Sequence, residues 1–287
     1  MARGVRIVRP DPDRPAPRGP SGGRRYALPG QRPVSPHITI SESDGLRYLH
    51  FGSVWVQGAM RIARPFSLEI EYQQQMMAPA LFVPKPAHIV QLGLGAGALA
   101  KFCWRHCEQA RVSVVEISSE VIAAAHRWFR LPAPDERLVI VEADALAAVS
   151  DPRRALLGGR GSPKADWLQI DLYDAEAAGP VYDDAAFYAA CRRLLSPQGV
   201  AAINLFGRSF APSAAAITEA FGDNWRVLPE ADAGNRVVLA FARGAPAIPY
   251  SSLYSRAIAI EHHWRLPARK WVSALRQATP AQANGRD

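Results

Sequence analysis

Five apolar runs recur between residues 88 and 206: "HIVQLGLG" (88–95), "RVSVVEIS" (111–118), "RLVIVEAD" (137–144), "DWLQIDLY" (166–173) and "GVAAINLF" (199–206). Short apolar runs of this kind suit strands buried on both faces, and the segments between them are mostly Ala-rich with helical spacing. Strands alternating with helices predict an α/β fold built on a doubly wound, mostly parallel sheet. Two further runs, "WRVLPE" and "NRVVLAFA", are parted only by a short turn, 232–235, which allows a hairpin and hence an antiparallel edge. They bring the expected sheet to seven strands.

The pattern changes toward both ends. "HITISESDGLRYLHFGSVWVQGAMRI" sets β-branched and aromatic residues around Asp44-Gly45 and Gly52, which predicts a small antiparallel meander. "FSLEIEYQQQMMAPALF" has helical character as far as Pro79. After Pro246, "YSRAIAIEHHWR" and "ARKWVSALRQA" predict helices on the outside, with His262 and His263 solvated or packing. Residues 1–36 are rich in Pro, Gly and Arg with little to bury, so they are expected to be disordered. The expected organisation is a basic tail (1–36), an N-terminal β-domain (37–66), an α/β domain (67–243) and a C-terminal helical extension (244–287).

Composition narrows the class. A chain of 287 residues with 48% apolar content can bury one large core, with or without a small satellite. No window reaches the eighteen or more apolar residues of a membrane helix, and the N-terminus lacks the apolar core of a secretory signal, so a cytoplasmic protein is expected. Three cysteines cannot complete a disulfide framework. Cys103, His106 and Cys107 in "KFCWRHC" lack zinc-ligand spacing and read as packing residues; no metal is expected.

The formal charge of +8 suggests nucleic acid until its distribution is considered. Eight arginines against Asp11 and Asp13 lie in residues 1–36, and six basic residues against Glu261 and Asp287 lie in 251–287. The body between is slightly acidic, which argues against a nucleic-acid partner.

Open parallel sheets bind ligands outside the carboxyl ends of their strands, and what stands there is polar. After the first run comes "GLGAGAL", whose Gly93, Gly95 and Gly97 let a backbone approach a ligand and start a helix. The spacing satisfies both the dinucleotide pattern and the looser one of S-adenosylmethionine enzymes. Glu116 ends the second run, where a carboxylate can bridge ribose hydroxyls. Asp144 ends the third run and Asp171 closely follows the apolar stretch of the fourth, with Asp174 three residues on. Dinucleotide binding demands no acid after the third strand, so Asp144 favours an adenosyl ligand across the first three strands. The plainer readings are an N-cap at Asp144 and an Asx-turn at Asp171 with Asp174 solvated.

"EYQQQMMAPALFVPKPAHIVQLGLGAGALAKF", then "VVEIS", "VEADA", "LQIDLYDAEAAGPVYDDAAFY" and "RRLLSPQGVAAINLF", resemble the spermidine synthase family of polyamine aminopropyltransferases over roughly residues 40–242. The resemblance implies a class I methyltransferase-like Rossmann fold behind an N-terminal β-domain. It implies that Gly93, Gly95 and Gly97 form the cofactor loop, with Glu116 on the ribose and Asp144 at the adenine. Tyr72 and Gln73 fall on the family's substrate-pocket pair, and Gln57 on the glutamine that closes from the β-domain. Asp171 and Asp174 match its Asp-x-x-Asp pair, the first serving the attacking amine and the second lying on the loop that covers the site. The co-substrate implied is decarboxylated S-adenosylmethionine, the acceptor a diamine such as putrescine, and the assembly a homodimer through the β-domain.

Three departures from the family pattern stand out. Ala96 replaces an aspartate that grips the donor's amine, Gln74 replaces a glutamate, and Leu172-Tyr173 replaces Ser-Ser. Methyl transfer from S-adenosylmethionine on the same scaffold therefore stands as the alternative. A noncatalytic adenosyl-binding or interaction protein and a nicotinamide oxidoreductase complete the readings.

Overall fold

The computed structural model describes residues 37–52, 56–152, 164–173, 179–207 and 210–277. Strands β1 (Ile38–Ser43), β2 (Leu46–Phe51) and β3 (Gly58–Arg61) form a small antiparallel sheet. Asp44 and Gly45 turn β1 into β2 with φ of 54° and 74°, the doubly left-handed turn that matches strand twist in a two-residue hairpin. The predicted helix as far as Pro79 is shorter than expected. It divides into α1 (Glu71–Gln75) and a 3₁₀ turn (Ala78–Leu81), because Ile70 supplies no side-chain cap and Pro79 has no N–H to continue the ladder.

Seven strands make the main sheet: β4 (His88–Leu92), β5 (Arg111–Glu116), β6 (Leu138–Glu142), β7 (Ala165–Ile170), β8 (Leu195–Leu205), β9 (Trp225–Val227) and β10 (Arg236–Phe241). Their spatial order is β6-β5-β4-β7-β8-β10-β9. The first five of that order run parallel, and β10 runs antiparallel to both β8 and β9. This is the doubly wound, mostly parallel sheet with an antiparallel edge that the apolar runs predict.

Helices α2 (Ala98–His106), α3 (Ser119–Phe129), α4 (Ala145–Ser150), α5 (Ala185–Leu194), α6 (Phe210–Phe221), α7 (Tyr250–Trp264) and α8 (Ala268–Gln277) surround it. Ser118, Asp144 and Asp184 start α3, α4 and α5 by accepting backbone N–H bonds from Val121, Ala147 and Phe187, each cap worth about 1 kcal/mol.

The sheet separates two apolar clusters. Phe102, Trp167, Trp271 and Val272 belong to one, and Phe187, Tyr188, Ile217 and Phe221 to the other. Each fully buried large apolar side chain contributes roughly 1.5–3 kcal/mol. The C-terminal helices do more than coat the surface, since Ala257, Ile260, Trp271 and Val272 are buried and Arg256 donates to the Leu81 carbonyl at 2.7 Å. Cys103 and Cys107 are buried, and the His106 ring packs at a tilt against Phe102 with centroids 4.4 Å apart. A third cluster, Leu49, Met60, Ala96 and Phe129, joins the small sheet to the α/β layer. Among the described residues no helix is long and apolar enough to cross a membrane.

Candidate active site

β5 and β6 lie to one side of β4, and β7 to the other. The crevice beyond the carboxyl ends at such a switch point is where open α/β sheets take ligands. Residues 93–97 turn there from β4 into α2, with Gly93, Gly95 and Gly97 at φ of 95°, 51° and 68°. Gly93 donates its N–H to the Val115 carbonyl at 2.8 Å, and the Asp171 N–H is donated to the Leu92 carbonyl at 2.9 Å. The loop is thereby tied to the ends of β5 and β7 together.

Glu116 sits almost buried at the end of β5. Its Oε2 accepts the Leu94 N–H and its Oε1 the Ser118 N–H, both at 3.0 Å. Burial raises its pKa, and the backbone N–H groups of Ser118 and Leu94 work against that rise. Asp144 does the capping job: Oδ1 accepts from Ala147 N–H at 2.9 Å, while Oδ2 accepts from the Tyr182 hydroxyl at 2.5 Å.

Asp171 is the hub. Its Oδ2 accepts from the Tyr72 hydroxyl at 3.1 Å and its Oδ1 from the Asn204 amide at 2.8 Å. Burial pushes its pKa up, and the Asn204 and Tyr72 donors pull the other way. No ion pair is made to Asp171 among the described residues. Tyr72 is held well above the ordinary phenol value by burial and by the Asp171 charge. Beside it, the Gln73 Nε2 lies 3.4 Å from the Tyr72 oxygen, whereas the Gln73 Oε1 is buried with no hydrogen-bond partner.

The structure thus brings Tyr72, Gln73 and Asp171 together, and sets Glu116 against the glycine loop at Leu94, next to the Gly93 that meets Asp171. Gln57 comes close through its backbone: its carbonyl oxygen lies 3.3 Å from where a Cβ on Gly95 would stand. Asp174 lies outside the described residues.

The sequence reading missed Asn204, Asn235 and Tyr182. Asn204 is 4% exposed and accepts at Oδ1 from the Asn235 amide at 2.9 Å. Its backbone carbonyl accepts the Tyr173 hydroxyl at 3.0 Å. The available signal was a lone amide ending the apolar run "GVAAIN". Tyr182 and Asn235 sit in loops whose sequence carries no comparable signal.

This donor and acceptor set fits an adenosyl ligand and an amine: a buried carboxylate on the glycine loop, and beyond it an unneutralised carboxylate beside an unpartnered amide oxygen. No protein-family model matches the chain. It is 30% identical over 250 residues to a polyamine aminopropyltransferase of Chromobacterium violaceum, covering 86% of this chain and 92% of that protein. Among solved structures it is similar to a probable spermidine synthase from Corynebacterium glutamicum, with a TM-score of 0.63 and 19% identity over 85% of this chain and 95% of that one. Human methyltransferase-like protein 13, solved in complex with SAH, is similar with a TM-score of 0.58 and 22% identity, over 68% of this chain and 92% of that one. At these identities the solved structures speak for the fold alone.

Proposed function

Because the chain belongs to the polyamine aminopropyltransferase family, we propose that it transfers an aminopropyl group from decarboxylated S-adenosylmethionine to a diamine such as putrescine. The observation that carries the reading is the state of Asp171: a carboxylate at the end of β7 whose hydrogen-bond partners, Tyr72 and Asn204, are both neutral. An Arg or Lys at that place would hold the carboxylate as a spent ion pair. With neutral donors its charge stays available to a cationic amine.

Gly93, Gly95 and Gly97 with Glu116 would hold the donor's ribose side, and Asp144 with Tyr182 its adenine side. The bound donor supplies a sulfonium leaving group, departing as methylthioadenosine. Asp171 anchors the acceptor's ammonium and takes its proton. An amine of pKa about 10 is neutral only about once in a thousand at pH 7, a cost of roughly 4 kcal/mol that a carboxylate in contact offsets. Aligning two bound reactants is worth about 7–11 kcal/mol, so positioning is the larger share. The unpartnered Gln73 Oε1 supplies a second acceptor for the ammonium protons. Asp174 belongs to this proposal as the acid on the covering loop and Gln57 as the contact from the small sheet. The small sheet acts as the cap on the α/β domain.

Methyl transfer from S-adenosylmethionine is the second reading, favoured by one observation. Ala96 is buried and apolar where the family resemblance implies an acid for the donor's amine. Separate calorimetric titrations with S-adenosylmethionine and its decarboxylated form, followed by product analysis with putrescine, decide between them. Tenfold preference for the decarboxylated form, about 1.4 kcal/mol, with methylthioadenosine released, is expected. Preference for the intact cofactor and a methylated product would overturn the aminopropyl reading.

A further inference from the structure

Hydrogen bonds, joined by short backbone stretches in the turn between β9 and β10 and in α1, lead from Asp171 through three further elements and back to it. From Asp171 this circuit goes to Asn204 at the end of β8 (2.8 Å) and on to Asn235 in the turn between β9 and β10 (2.9 Å). That turn is bonded back to α1, where Glu71 accepts the Asp232 N–H at 2.8 Å and Gln75 donates to the Pro229 carbonyl at 3.0 Å. From α1, Tyr72 returns to Asp171 at 3.1 Å.

The two amides have only one workable arrangement. Asn235 donates its Nδ2 to the Asn204 Oδ1, so the Asn204 Nδ2 must face Asp171. Turning Asn204 over would set its oxygen against a carboxylate oxygen in a buried place and leave two donors facing each other. Both amides are almost buried, at 4% and 6% exposure, so water cannot readily substitute for a lost partner.

We propose that Asn204, oriented by Asn235, is the positioning residue of the reaction: it fixes the Asp171 carboxylate and couples it to the turn between β9 and β10. This rests on the reading of Asp171 as the group that holds and deprotonates the acceptor amine. Asn204 touches no reacting atom itself. It aims the carboxylate by holding Oδ1 and leaves Oδ2 to Tyr72 and the acceptor. As an uncharged donor it favours the ionised base without neutralising it, a balance a cation would destroy. The titratable groups bonded directly to Asp171 or Asn204 are Tyr72 from α1 and Tyr173 from the loop of Asp171 itself, and the far side of the circuit carries Glu71 on α1 and Asp232 in the turn. Neither amide carries charge.

The experiment compares parent, N204A, N235A and N204A/N235A by steady-state kinetics across pH, by calorimetric affinity for decarboxylated S-adenosylmethionine and by thermal melting, with D171N as control. The expected result for N204A is a kcat at least tenfold lower, donor affinity within twofold of the parent and an acid limb of the kcat profile moved to higher pH. N235A should shift both quantities in the same direction by less, and the double variant should match N204A because Asn235 acts through Asn204. Parental kcat and pH profile in N204A, or additive effects in the double variant, would overturn the proposal. Should N204A fail to fold, N235A decides alone, and a parental profile there counts against it. A D171N variant within tenfold of parental kcat would sink the underlying role of Asp171 instead, an outcome readable apart from the others.

Discussion

No side chain fits at position 93, because a Cβ on Gly93 would stand 2.1 Å from the carbonyl oxygen of Asp171. The glycine loop and the candidate base are therefore in backbone contact, and Gly93 holds a φ of 95° to allow it. The sequence reading assigns this glycine to close approach by a ligand; the contact it makes is with the neighbouring strand end. Gly93→Ala should combine left-handed strain with displacement of residue 171, a loss of roughly 2–4 kcal/mol. Any folded fraction should lose kcat more than donor affinity. Denaturant melts and calorimetry on the same preparation check both, and parental stability would contradict the contact.

Asp171 should show a trade between activity and stability. Losing a general base costs about 10²–10⁴ in rate, so D171N is expected to fall in that range. The sign for stability follows from burial, which raises the folded pKa of Asp171 above its unfolded value. Stability from this group is present below the unfolded pKa and is lost as pH rises through the raised value, so above that value the ionised side chain is a net cost. D171N should melt no lower than the parent at pH 7.5, and any advantage should shrink toward pH 4. Tyr72→Phe removes one donor that favours the ionised form, so its acid limb should move to higher pH with a smaller kcat loss.

How much was legible beforehand depended on whether a residue's task repeats along the chain. The strands of the main sheet were readable because parallel strands are apolar on both faces, and the acids were readable because they stand where apolar runs stop. Asp171 could be singled out in "LQIDLYD" for that reason. Of its partners, Tyr72 was named only through the family resemblance, and Asn204 and Asn235 were not named at all. The three come together through the sheet order β4-β7-β8-β10 and the packing of α1 on the hairpin, information that no local window carries. Asp144 shows the opposite limit: a cap and a ligand acid look identical in sequence, and the structure gives its oxygens to Ala147 and Tyr182.

Ala96 and Gly58 form a matched pair across the seam between the two sheets. A Cβ on Gly58 would lie 2.6 Å from the Ala96 Cβ, and Ala96 packs with Leu49, Met60 and Phe129. An aspartate at 96 would carry its carboxylate into this apolar contact rather than simply add a grip on the donor. Ala96→Asp is therefore expected to lower stability by several kcal/mol, as an unpaired buried charge does, without raising selectivity for decarboxylated S-adenosylmethionine. Gly58→Ala should cost about 1–3 kcal/mol by overpacking. Denaturant titration with calorimetry on both variants tests this, and a stable A96D with sharpened selectivity would show that the side chain points to the ligand instead.

The same seam holds a buried lysine that sets a pH dependence of stability. Lys101, 1% exposed, donates to the Phe129 carbonyl at 2.6 Å, and burial lowers its pKa to about 7. In the unfolded chain a lysine binds its proton up to about pH 10.4. Between pH 7 and that value the unfolded state holds the extra proton, so the Lys101 contribution makes stability rise with pH, at up to about 1.4 kcal/mol per unit. The window to examine is pH 7 to 8.5, below the range where the buried thiols of Cys103 and Cys191, raised by their own burial, would oppose the trend. Lys101→Met keeps most of the side-chain volume and removes the titration. The variant should be more stable than the parent at pH 7, and its stability should change less over the window. A parent whose stability is flat from pH 7 to 8.5, matched by K101M, would mean that Lys101 keeps its proton in the folded state.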